Sequence, residues 1–371
     1  MVVLRRATAL SRVAILGLGD AAQRIHLPAC TLLPEVEVVG ACDPDKDRRK
    51  RVGELFGIRA LYADARTLLE QEKPDITIVA TPPDSHRDLC LLALESGSHV
   101  LCEKPFVRSV TEADEIIAVA ERGGLALFVN NEYRFMKIYR VVQERLARGD
   151  YGAAFLIQAW QQIFHPPSQE RNWRAHLVQS TLFEFGTHVL DLFCFFFGAL
   201  PLSVTAHTPR PFAGVDADVV VQATLRFPGD RLATLTFNRI SHAPPRYLEM
   251  RVDCARASVR ISFGGIARAS LEWSRTLRRP IARVGLAQGG EARVETGGRS
   301  RLLVAERREG RPAATALNLR SLIEAVRNGG VSTERACHAR ELIRIVSAGY
   351  ESARTGETVW LDRNRGVSAG P

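Results

Sequence analysis

The sequence predicts an α/β protein with a doubly wound N-terminal domain, followed by an α+β domain with a mainly antiparallel, open-faced sheet. Two observations carry this prediction. Over roughly the first 135 residues, short and nearly continuous apolar runs alternate with helical patterns, a rhythm typical of βαβ units and a parallel sheet. Beyond that point the apolar runs are longer and contain more polar residues, as in strands of an antiparallel sheet with one solvated face.

Five apolar runs in the first half are predicted strands, at 12–16, 36–41, 75–80, 99–102 and 125–129. Continuous apolar runs suit parallel strands that are covered on both faces. Helical periodicity fills the segments between them, at 45–56, 65–72, 86–95 and 111–122. Ser109 and Glu112 have the spacing of a capping box at the start of the last helix.

The second half predicts longer strands, at 153–164, 204–207, 215–227, 232–241 and 247–262. Pro228, Gly229 and Asp230 predict a hairpin turn between two of them. Helices are expected to cover one face of this sheet, at 180–197, 316–327 and 338–355. Residues 276–313 are rich in Arg and Gly and lack clear periodicity, which predicts a mobile hairpin or loop. The predicted domains are therefore 11–135 and 136–363, with flexible termini at 1–10 and 364–371.

Composition narrows the class of protein. The chain has 371 residues, of which 46% are hydrophobic and 25% charged, enough apolar material for a sizeable core. The net charge of +9 comes mostly from Arg spread along the whole length, and no nucleic-acid-binding motif accompanies it, so we expect no nucleic-acid partner. The seven cysteines form no C-x-x-C pair, which predicts no metal site and a reducing, cytoplasmic location. We also expect no membrane association, since the most apolar stretch, 189–202, is too short to span a bilayer.

A glycine-rich segment follows the first predicted strand and opens a helix. Its pattern is G-x-G-x-x-A, in which Gly17 allows the tight turn, Gly19 lets the backbone approach a pyrophosphate, and Ala22 keeps the helix close to the strand. Asp20 and Ala21 complete the segment and are expected to border the same ligand. The pattern predicts a Rossmann-type dinucleotide-binding domain.

An acidic residue stands where such a domain binds the adenosine ribose. Asp43 ends the second predicted strand, 21 residues beyond Ala22, and its charge would repel a 2′-phosphate. We therefore predict NAD as the cofactor. NADP stays an alternative because four basic residues follow closely, at Lys46, Arg48, Arg49 and Lys50.

Three further motifs accompany the fingerprint. Thr81-Pro82-Pro83 with His86 follows the third predicted strand, Glu103-Lys104-Pro105 follows the fourth, and Glu184-x-x-x-His188-x-x-Asp191 lies in the second half. In this order and spacing, the motifs resemble the Gfo/Idh/MocA family of NAD(P)-dependent oxidoreductases. The resemblance covers nearly the whole chain, including the closing segment 347–353.

The resemblance implies specific roles. Lys104 would lie beside the nicotinamide and bond the reacting hydroxyl, the Lys104-Pro105 bond would be cis, and His188 would act as acid and base. Family members often associate through the second-domain sheet, which implies a homodimer or homotetramer. The implied cofactor-binding residues are Gly17, Gly19, Asp20, Ala21, Ala22, Asp43, Thr81, Pro82, Pro83, His86, Glu103 and Lys104. His86 has the alternative role of capping a helix.

The sequence also departs from the family pattern. Glu184 stands where Asp is usual, and Glu132 stands where Asn is frequent, so the substrate stays open. Glu184 and His188 have i,i+4 spacing, which puts them on one helix face, where the carboxylate could orient the imidazole. Trp173 and Arg174 either line a pocket for a sugar or anionic substrate, or form an ion pair beside a packing aromatic ring.

The predicted function is oxidation or reduction of a secondary alcohol on a sugar, an inositol or a sugar derivative. A hydride acceptor must then stand on one side of the carbon, and a proton acceptor with a suitable pKa at the hydroxyl. Two alternatives remain open. One is a glycosidase that uses tightly held NAD for transient redox, and the other is a non-catalytic, cofactor-binding regulator with the same fold.

Overall fold

The computed structural model describes residues 10–361 except 171, 214, 243–246, 275–278, 288, 309 and 330, and describes only the backbone at 172, 266–274 and 279–287. The predicted flexible termini lie outside this range, apart from residue 10. The chain divides into two compact units. The first unit joins the chain up to Phe135 to the later segment Arg311–Arg344, and the second contains Met136–Gly310 and the chain from Ile345 onward.

The first unit is built on a parallel sheet of six strands. The strands are β1 (Ser11–Leu16), β2 (Val36–Cys42), β3 (Leu61–Tyr62), β4 (Ile76–Val79), β5 (His99–Cys102) and β6 (Leu127–Val129). Their order in the sheet is β3-β2-β1-β4-β5-β6, and every neighbouring pair is parallel. This arrangement confirms the predicted Rossmann fold class. The two-residue strand β3 is too short to leave a pattern in the sequence.

Five α-helices lie in the described part of the first 135 residues, and three of them begin with a side-chain cap. The five are α1 (Leu27–Thr31), α2 (Lys46–Phe56), α3 (Ala65–Glu72), α4 (His86–Glu95) and α5 (Val110–Gly123). The predicted cap of α5 is confirmed, because Ser109 Oγ accepts the backbone N–H of Glu112 at 3.2 Å. Asp45 and Asp64 cap α2 and α3 in the same way, which satisfies N–H groups that have no partner inside the helix.

Successive side chains of the central strand enter two different cores. Ile15 packs in one hydrophobic cluster and Leu16 in another, since neighbouring side chains of a strand point to opposite faces of its sheet. The first cluster also contains Leu319 and Leu322 of a later helix. Both faces of the sheet are therefore covered, as the continuous apolar strands predict.

The later segment of the first unit differs from the predicted domain division. Helix α8 (Arg311–Arg327) packs on α1 and on the π-helical turn Ala22–His26, and the first turns of α9 (Glu334–Thr355) add Ala336 and Ala339 to the core on the other face of the sheet. These residues are predicted in the second domain, because local periodicity does not show which sheet a helix packs on. The boundary after residue 135 stays a prediction.

The second unit contains a sheet of nine strands in the order β16-β15-β12-β11-β7-β10-β9-β8-β17. Its only parallel pair among the described residues is β7 with β10. A separate pair, β13 with β14, forms a two-stranded sheet. The strands are β7 (Ala154–Gln162), β8 (Ser203–His207), β9 (Val220–Phe227), β10 (Arg231–Asn238), β11 (Leu248–Cys254), β12 (Ser258–Phe263), β13 (Ile266–Ser274), β14 (Arg279–Ala287), β15 (Gly290–Thr296), β16 (Arg299–Glu306) and β17 (Val359–Trp360).

The predicted hairpin and the one-sided burial of this sheet are both present. Gly229 and Asp230 have φ values of 75° and 56°, as the mirror-image turns of tight hairpins require. Val221 and Leu225 of β9 are buried, while Arg226 is exposed. Among the described residues, the α-helices that belong to this unit alone are α6 (Lys137–Ala147) and α7 (Thr187–Phe197). Helix α7 is almost entirely buried, as predicted for this apolar stretch, and no helix in the described ranges is long and apolar enough to cross a membrane.

Of the two alternatives predicted for 276–313, a mobile hairpin or a loop, the loop is wrong. Strands β14, β15 and β16 occupy most of this segment, β15 and β16 pair as an antiparallel hairpin, and α8 begins at Arg311. In β15, Ala292 and Val294 are buried while Arg293 between them is only half-buried, so an alternating pattern is present. The frequent Arg and Gly residues conceal that pattern in the sequence.

Helix α8 offers a direct test of its assignment to the first unit. We expect Leu322→Ala to lower the free energy of unfolding by about 2–5 kcal/mol, because Leu322 is fully buried in the core beside β1 and its truncation leaves a cavity. Leu317→Ala on the same helix is the control, since Leu317 is 37% exposed. Urea unfolding followed by circular dichroism measures both variants. Equal losses in the two would contradict this packing.

Candidate active site

The chain turns sharply after β1, at the carboxyl edge of the parallel sheet. Gly17 has φ of 89°, and a Cβ there would lie 2.7 Å from Thr81 Cγ2 and 2.8 Å from the carbonyl oxygen of Ala80. Gly19 differs, because a Cβ there would meet no atom within 4 Å. The protein itself does not require glycine at 19, and the open space beside this backbone fits the predicted approach of a pyrophosphate.

The helix that follows this turn begins irregularly. Asp20 is exposed, Ala21 is half-buried and Ala22 is fully buried. Ala22 opens the π-helical turn Ala22–His26, which leads into α1. Single π-helical turns of this kind occur frequently at functional sites. This turn directs the ring of His26 into the interior, where it is completely buried.

Asp43 follows β2 and is buried beside the glycine turn. One carboxylate oxygen accepts the N–H of Leu18 at 2.9 Å, and the other accepts the N–H of Asp45 at 2.9 Å. Arg48 Nη1 lies 3.0 and 3.1 Å from the two oxygens. A carboxylate has about four lone-pair sites, so ribose hydroxyls would have to displace Arg48, whose side chain is 37% exposed.

His86 joins two segments at the sheet edge. Its Nε2 lies 2.8 Å from the Thr81 carbonyl oxygen, and its Nδ1 lies 2.9 Å from the carbonyl oxygen of Phe106. The ring is fully buried, and burial lowers its pKa although these contacts oppose the shift. Both nitrogens are occupied by backbone, so the geometry gives His86 a positioning role between the two segments. Two further residues predicted to bind the cofactor lie in the segment between β4 and His86: Pro82 is exposed and Pro83 is buried.

Glu103 is the centre of a buried hydrogen-bond network after β5. Its Oε1 lies 2.7 Å from His26 Nε2 and accepts Asn130 Nδ2 at 2.7 Å. Its Oε2 accepts the backbone N–H of Lys104 at 3.1 Å. Burial alone would raise the pKa of Glu103, but His26, Lys104 and Asn130 hold it below its usual value. The carboxylate therefore fixes the backbone from which Lys104 projects, and its own geometry gives it a positioning role.

The network extends to helix α8. Asn130 Nδ2 also donates to Thr315 Oγ1 at 3.1 Å, and Asn318 Nδ2 donates to Asn130 Oδ1 at 3.2 Å. All three side chains are fully buried. The Lys104-Pro105 bond is cis, which confirms the expectation from the family resemblance. Lys104 itself is half-buried.

In the second unit, Glu184 and Arg174 form a close ion pair. Glu184 lies in the π-helical turn Thr181–Gly186 and His188 at the start of α7, and both are buried. Glu184 Oε1 accepts hydrogen bonds from Arg174, with Nε at 2.7 Å and Nη2 at 2.6 Å. The Arg174 guanidinium lies 4.5 Å from the ring centre of Trp173. The ion pair is therefore present, and it joins two predicted substrate-binding residues to Glu184.

Two buried charges position the segment that carries these residues. The Asp218 carboxylate accepts the backbone N–H groups of Ser180 and Thr181 at 2.6 and 2.9 Å, at the start of the π-helical turn. Arg239 is fully buried and donates to the His165 carbonyl at 3.0 Å, to Ser180 Oγ at 2.9 Å and to the Glu170 carboxylate. It thus connects both ends of the 165–180 segment, which contains Trp173 and Arg174.

Several residues of these networks are not predicted from the sequence. Asn130 directly follows the predicted strand 125–129, and His26 lies in the helix that the glycine-rich segment opens. The only signal for either residue would have been a polar side chain next to buried apolar ones. Asp218 and Arg239 are far from their partners in sequence and leave no local pattern. In the described part of the chain, no three His, Cys, Asp or Glu side chains are grouped as metal ligands.

Comparison with known proteins identifies the two halves. Residues 11–131 match the model of an oxidoreductase family with an NAD-binding Rossmann fold, and residues 139–260 match the GFO/IDH/MocA C-terminal domain. In overall fold, the chain is similar to an oxidoreductase from Agrobacterium radiobacter solved with NAD+, L-tartaric acid and magnesium. The TM-score is 0.78 at 21% identity, over 95% of this chain and 98% of that one.

Two curated relatives are sugar dehydrogenases. D-apiose dehydrogenase of Paraburkholderia graminis is 30% identical over 204 residues, which is 53% of each chain. D-glucoside 3-dehydrogenase of Escherichia coli is 30% identical over 148 residues, which is 40% of this chain and 42% of the relative. The chain thus aligns with about half the length of these relatives or less. The two matched models describe the N-terminal and C-terminal domains of one family, and they follow each other along the sequence. The chain therefore belongs to the Gfo/Idh/MocA family of oxidoreductases.

Proposed function

We propose that this protein is an NAD-dependent dehydrogenase or reductase, acting on a secondary alcohol of a sugar, an inositol or a sugar derivative. One observation carries the proposal. Gly17, Asp43, Thr81 and Lys104 come just after β1, β2, β4 and β5, and so share the sheet edge at which parallel α/β folds bind ligands. NAD, when bound, supplies the hydride acceptor, while the protein supplies position and polarity.

Lys104 is proposed to bond the reacting oxygen. The Glu103 carboxylate holds its backbone N–H, and His26 and Asn130 hold that carboxylate in turn. The lysine side chain therefore starts from a fixed point. An ammonium group stabilises a developing alkoxide more than a neutral alcohol, and such differential stabilisation is what lowers a reaction barrier.

His188 is proposed to exchange the proton with solvent or substrate. Glu184 would orient its imidazole or contact the substrate directly, and the ion pair with Arg174 would hold the Glu184 carboxylate in place. Trp173 and Arg174 would then contribute to substrate binding. The two sugar dehydrogenases among the relatives support a polyhydroxylated substrate.

Glu132 is proposed to hold a further proton near Lys104. It is buried in the turn Glu132–Phe135 that follows β6. Burial and the nearby Glu103 raise its pKa to about 8, although Lys104 opposes the shift. At neutral pH this carboxyl would be mostly protonated, and could donate a hydrogen bond where an Asn is frequent in the family.

Location and assembly complete the proposal. All seven cysteines are free thiols, which supports a cytoplasmic enzyme. A homodimer or homotetramer would associate through the outward face of the second-unit sheet, where Trp160 and Leu232 are exposed. The two alternatives predict other outcomes: a transient-redox glycosidase would release sugar without net NADH, and a regulator would bind NAD without turnover.

A screen of sugars, inositols and sugar derivatives, read by NADH absorbance, identifies the substrate and allows Lys104 to be tested. We expect Lys104→Ala to lower kcat by about 10²–10⁴ and to leave NAD affinity nearly unchanged. His188→Ala should lose less activity if Lys104 can pass its proton to water. Lys137→Ala, an exposed lysine at the start of α6, is the control. Retention of more than about a tenth of turnover in Lys104→Ala would be under ~1.4 kcal/mol of barrier, too little for a catalytic hydrogen bond.

Cofactor preference tests the pairing of Asp43 with Arg48. We expect NAD to bind more tightly than NADP, because the Asp43 carboxylate repels a 2′-phosphate. Arg48 partly neutralises that carboxylate, so Arg48→Ala should widen the preference by about fivefold, the effect of roughly 1 kcal/mol from one nearby charge. Exposed Lys50→Ala is the control. Calorimetric titration of each variant with both cofactors measures the ratio, and tighter binding of NADP to the wild type would refute the assignment.

Glu132 should make the protein less stable as pH rises. Its pKa is raised from 4.5 to about 8 in the folded state, so folding binds a proton that the unfolded chain releases. The stabilisation is complete below about pH 4.5 and is lost as the pH rises through about 8. Glu132→Gln cannot ionise and should flatten this loss, whereas exposed Glu54→Gln should not. Urea unfolding at several pH values measures the free energy of unfolding of each variant. If this free energy fell with pH equally in Glu132→Gln and wild type, the raised pKa of Glu132 would be contradicted.

A further inference from the structure

A cavity of about 300 Å³ lies in the first unit, beside the carboxyl end of β6 and the first turn of α9. Asn131 and Arg134 contribute one wall, and Arg335 and His338 the other. None of these residues belongs to the proposed cofactor or substrate site. Glu334, which is exposed, is the one carboxylate among the residues that line the cavity.

Arg335 is held rigidly in this wall. Its guanidinium lies 4.3 Å from the ring centre of Phe128 and 4.8 Å from that of Phe135, and it donates a hydrogen bond to Asn318 Oδ1. Burial and the nearby charge of Arg134 lower the pKa of Arg335 to about 10. The group is therefore still charged at neutral pH, and two guanidinium charges lie close together in a partly buried place.

The histidine in the cavity is an acceptor toward Arg134. Arg134 Nη2 and His338 Nε2 are 2.8 Å apart, and arginine can only donate. His338 Nε2 is therefore the acceptor in this contact. The positive charge of this wall comes from the two arginines.

Asn131 gives an independent indication of a ligand. It is only 6% exposed and lines the cavity. Within the described residues, its backbone N–H bonds the Val129 carbonyl, while its side-chain amide has no hydrogen-bond partner. An asparagine amide carries two N–H donors, and the oxygens of a bound oxyanion would accept them.

We propose that this cavity binds a small oxyanion, either a phosphate or an organic carboxylate, between Asn131, Arg134 and Arg335. Guanidinium groups match the planar or tetrahedral oxygens of such ions with paired hydrogen bonds. The cavity also adjoins the first turn of the 22-residue helix α9, whose amino-terminal dipole favours negative charge. Asn131 and Arg134 flank Glu132, so a bound anion would restrain the turn that carries it.

Calorimetric titration of the full chain with inorganic phosphate and with citrate tests the site. Saturating NAD is present throughout, so that the anion does not enter the predicted pyrophosphate site, and chloride at equal ionic strength is the salt control. We expect saturable binding of at least one anion. Arg335→Gln and Asn131→Asp should weaken it at least tenfold, and Arg87→Gln, a surface arginine of the same unit paired with Glu115, should change it less than twofold.

Asn131→Asp keeps the shape of the side chain and adds a repelling charge, so it decides the matter if Arg335→Gln does not fold. Tighter binding of phosphate or of citrate would identify the class of the anion, and either result supports the site. Failure of both anions to saturate, or equal affinity in Asn131→Asp and wild type, would overturn the proposal. The comparison of variants holds even if NAD does not bind, so its failure is separate from that of the proposed function.

Discussion

The buried carboxylate of Glu103 imposes a constraint on the whole first unit. A charge removed from water is tolerated only when it is fully hydrogen-bonded, and its three partners come from the helix after the glycine turn, from the end of β6 and from the adjacent peptide. These segments border the edge where the ligand is proposed to bind. One requirement for charge compensation therefore fixes the turn after β1, the backbone of Lys104 and, through Asn130, helix α8.

The second unit meets a similar constraint with one buried carboxylate, Asp218, and one buried guanidinium, Arg239. The Asp218 carboxylate accepts the N–H groups at the start of the π-helical turn. It also accepts a hydrogen bond, at 2.9 Å, from the hydroxyl of Tyr350, a residue of α9. Arg239 holds the preceding segment at both ends. Glu184 and Arg174 therefore meet between two rigid anchors. Only the Glu184 side of this ion pair is buried, since Arg174 is 33% exposed. The buried carboxylate gains from such support, because fixed geometry compensates for its loss of hydration.

The sequence identified what depends on neighbouring residues and missed what depends on distant ones. The parallel strands, the glycine turn, the cap at Ser109 and the hairpin at 228–230 follow from local patterns, and all are present. The packing of α8 against the first unit and the roles of His26, Asp218 and Arg239 depend on contacts between residues far apart in the chain. Strands β15 and β16 were not predicted one by one, because Arg and Gly residues obscure the alternation of buried positions in β15. Asp43 combines both cases. Its position after β2 follows from the local pattern, but its hydrogen bonds with Arg48 do not.

The short segment after β6 explains why departures from the family pattern there have consequences. Asn130 faces the Glu103 network and α8, Asn131 lines the arginine-rich cavity, and Glu132 is buried within the electrostatic influence of Glu103 and Lys104. Three successive side chains thus take part in three different environments, which only an irregular end of a strand allows, since a regular strand has two faces. Glu132 lies in the chain between Asn131 and Arg134, which both line the cavity. We therefore expect a substitution at 132 to affect the neighbouring cavity as well as the proposed chemistry at Lys104.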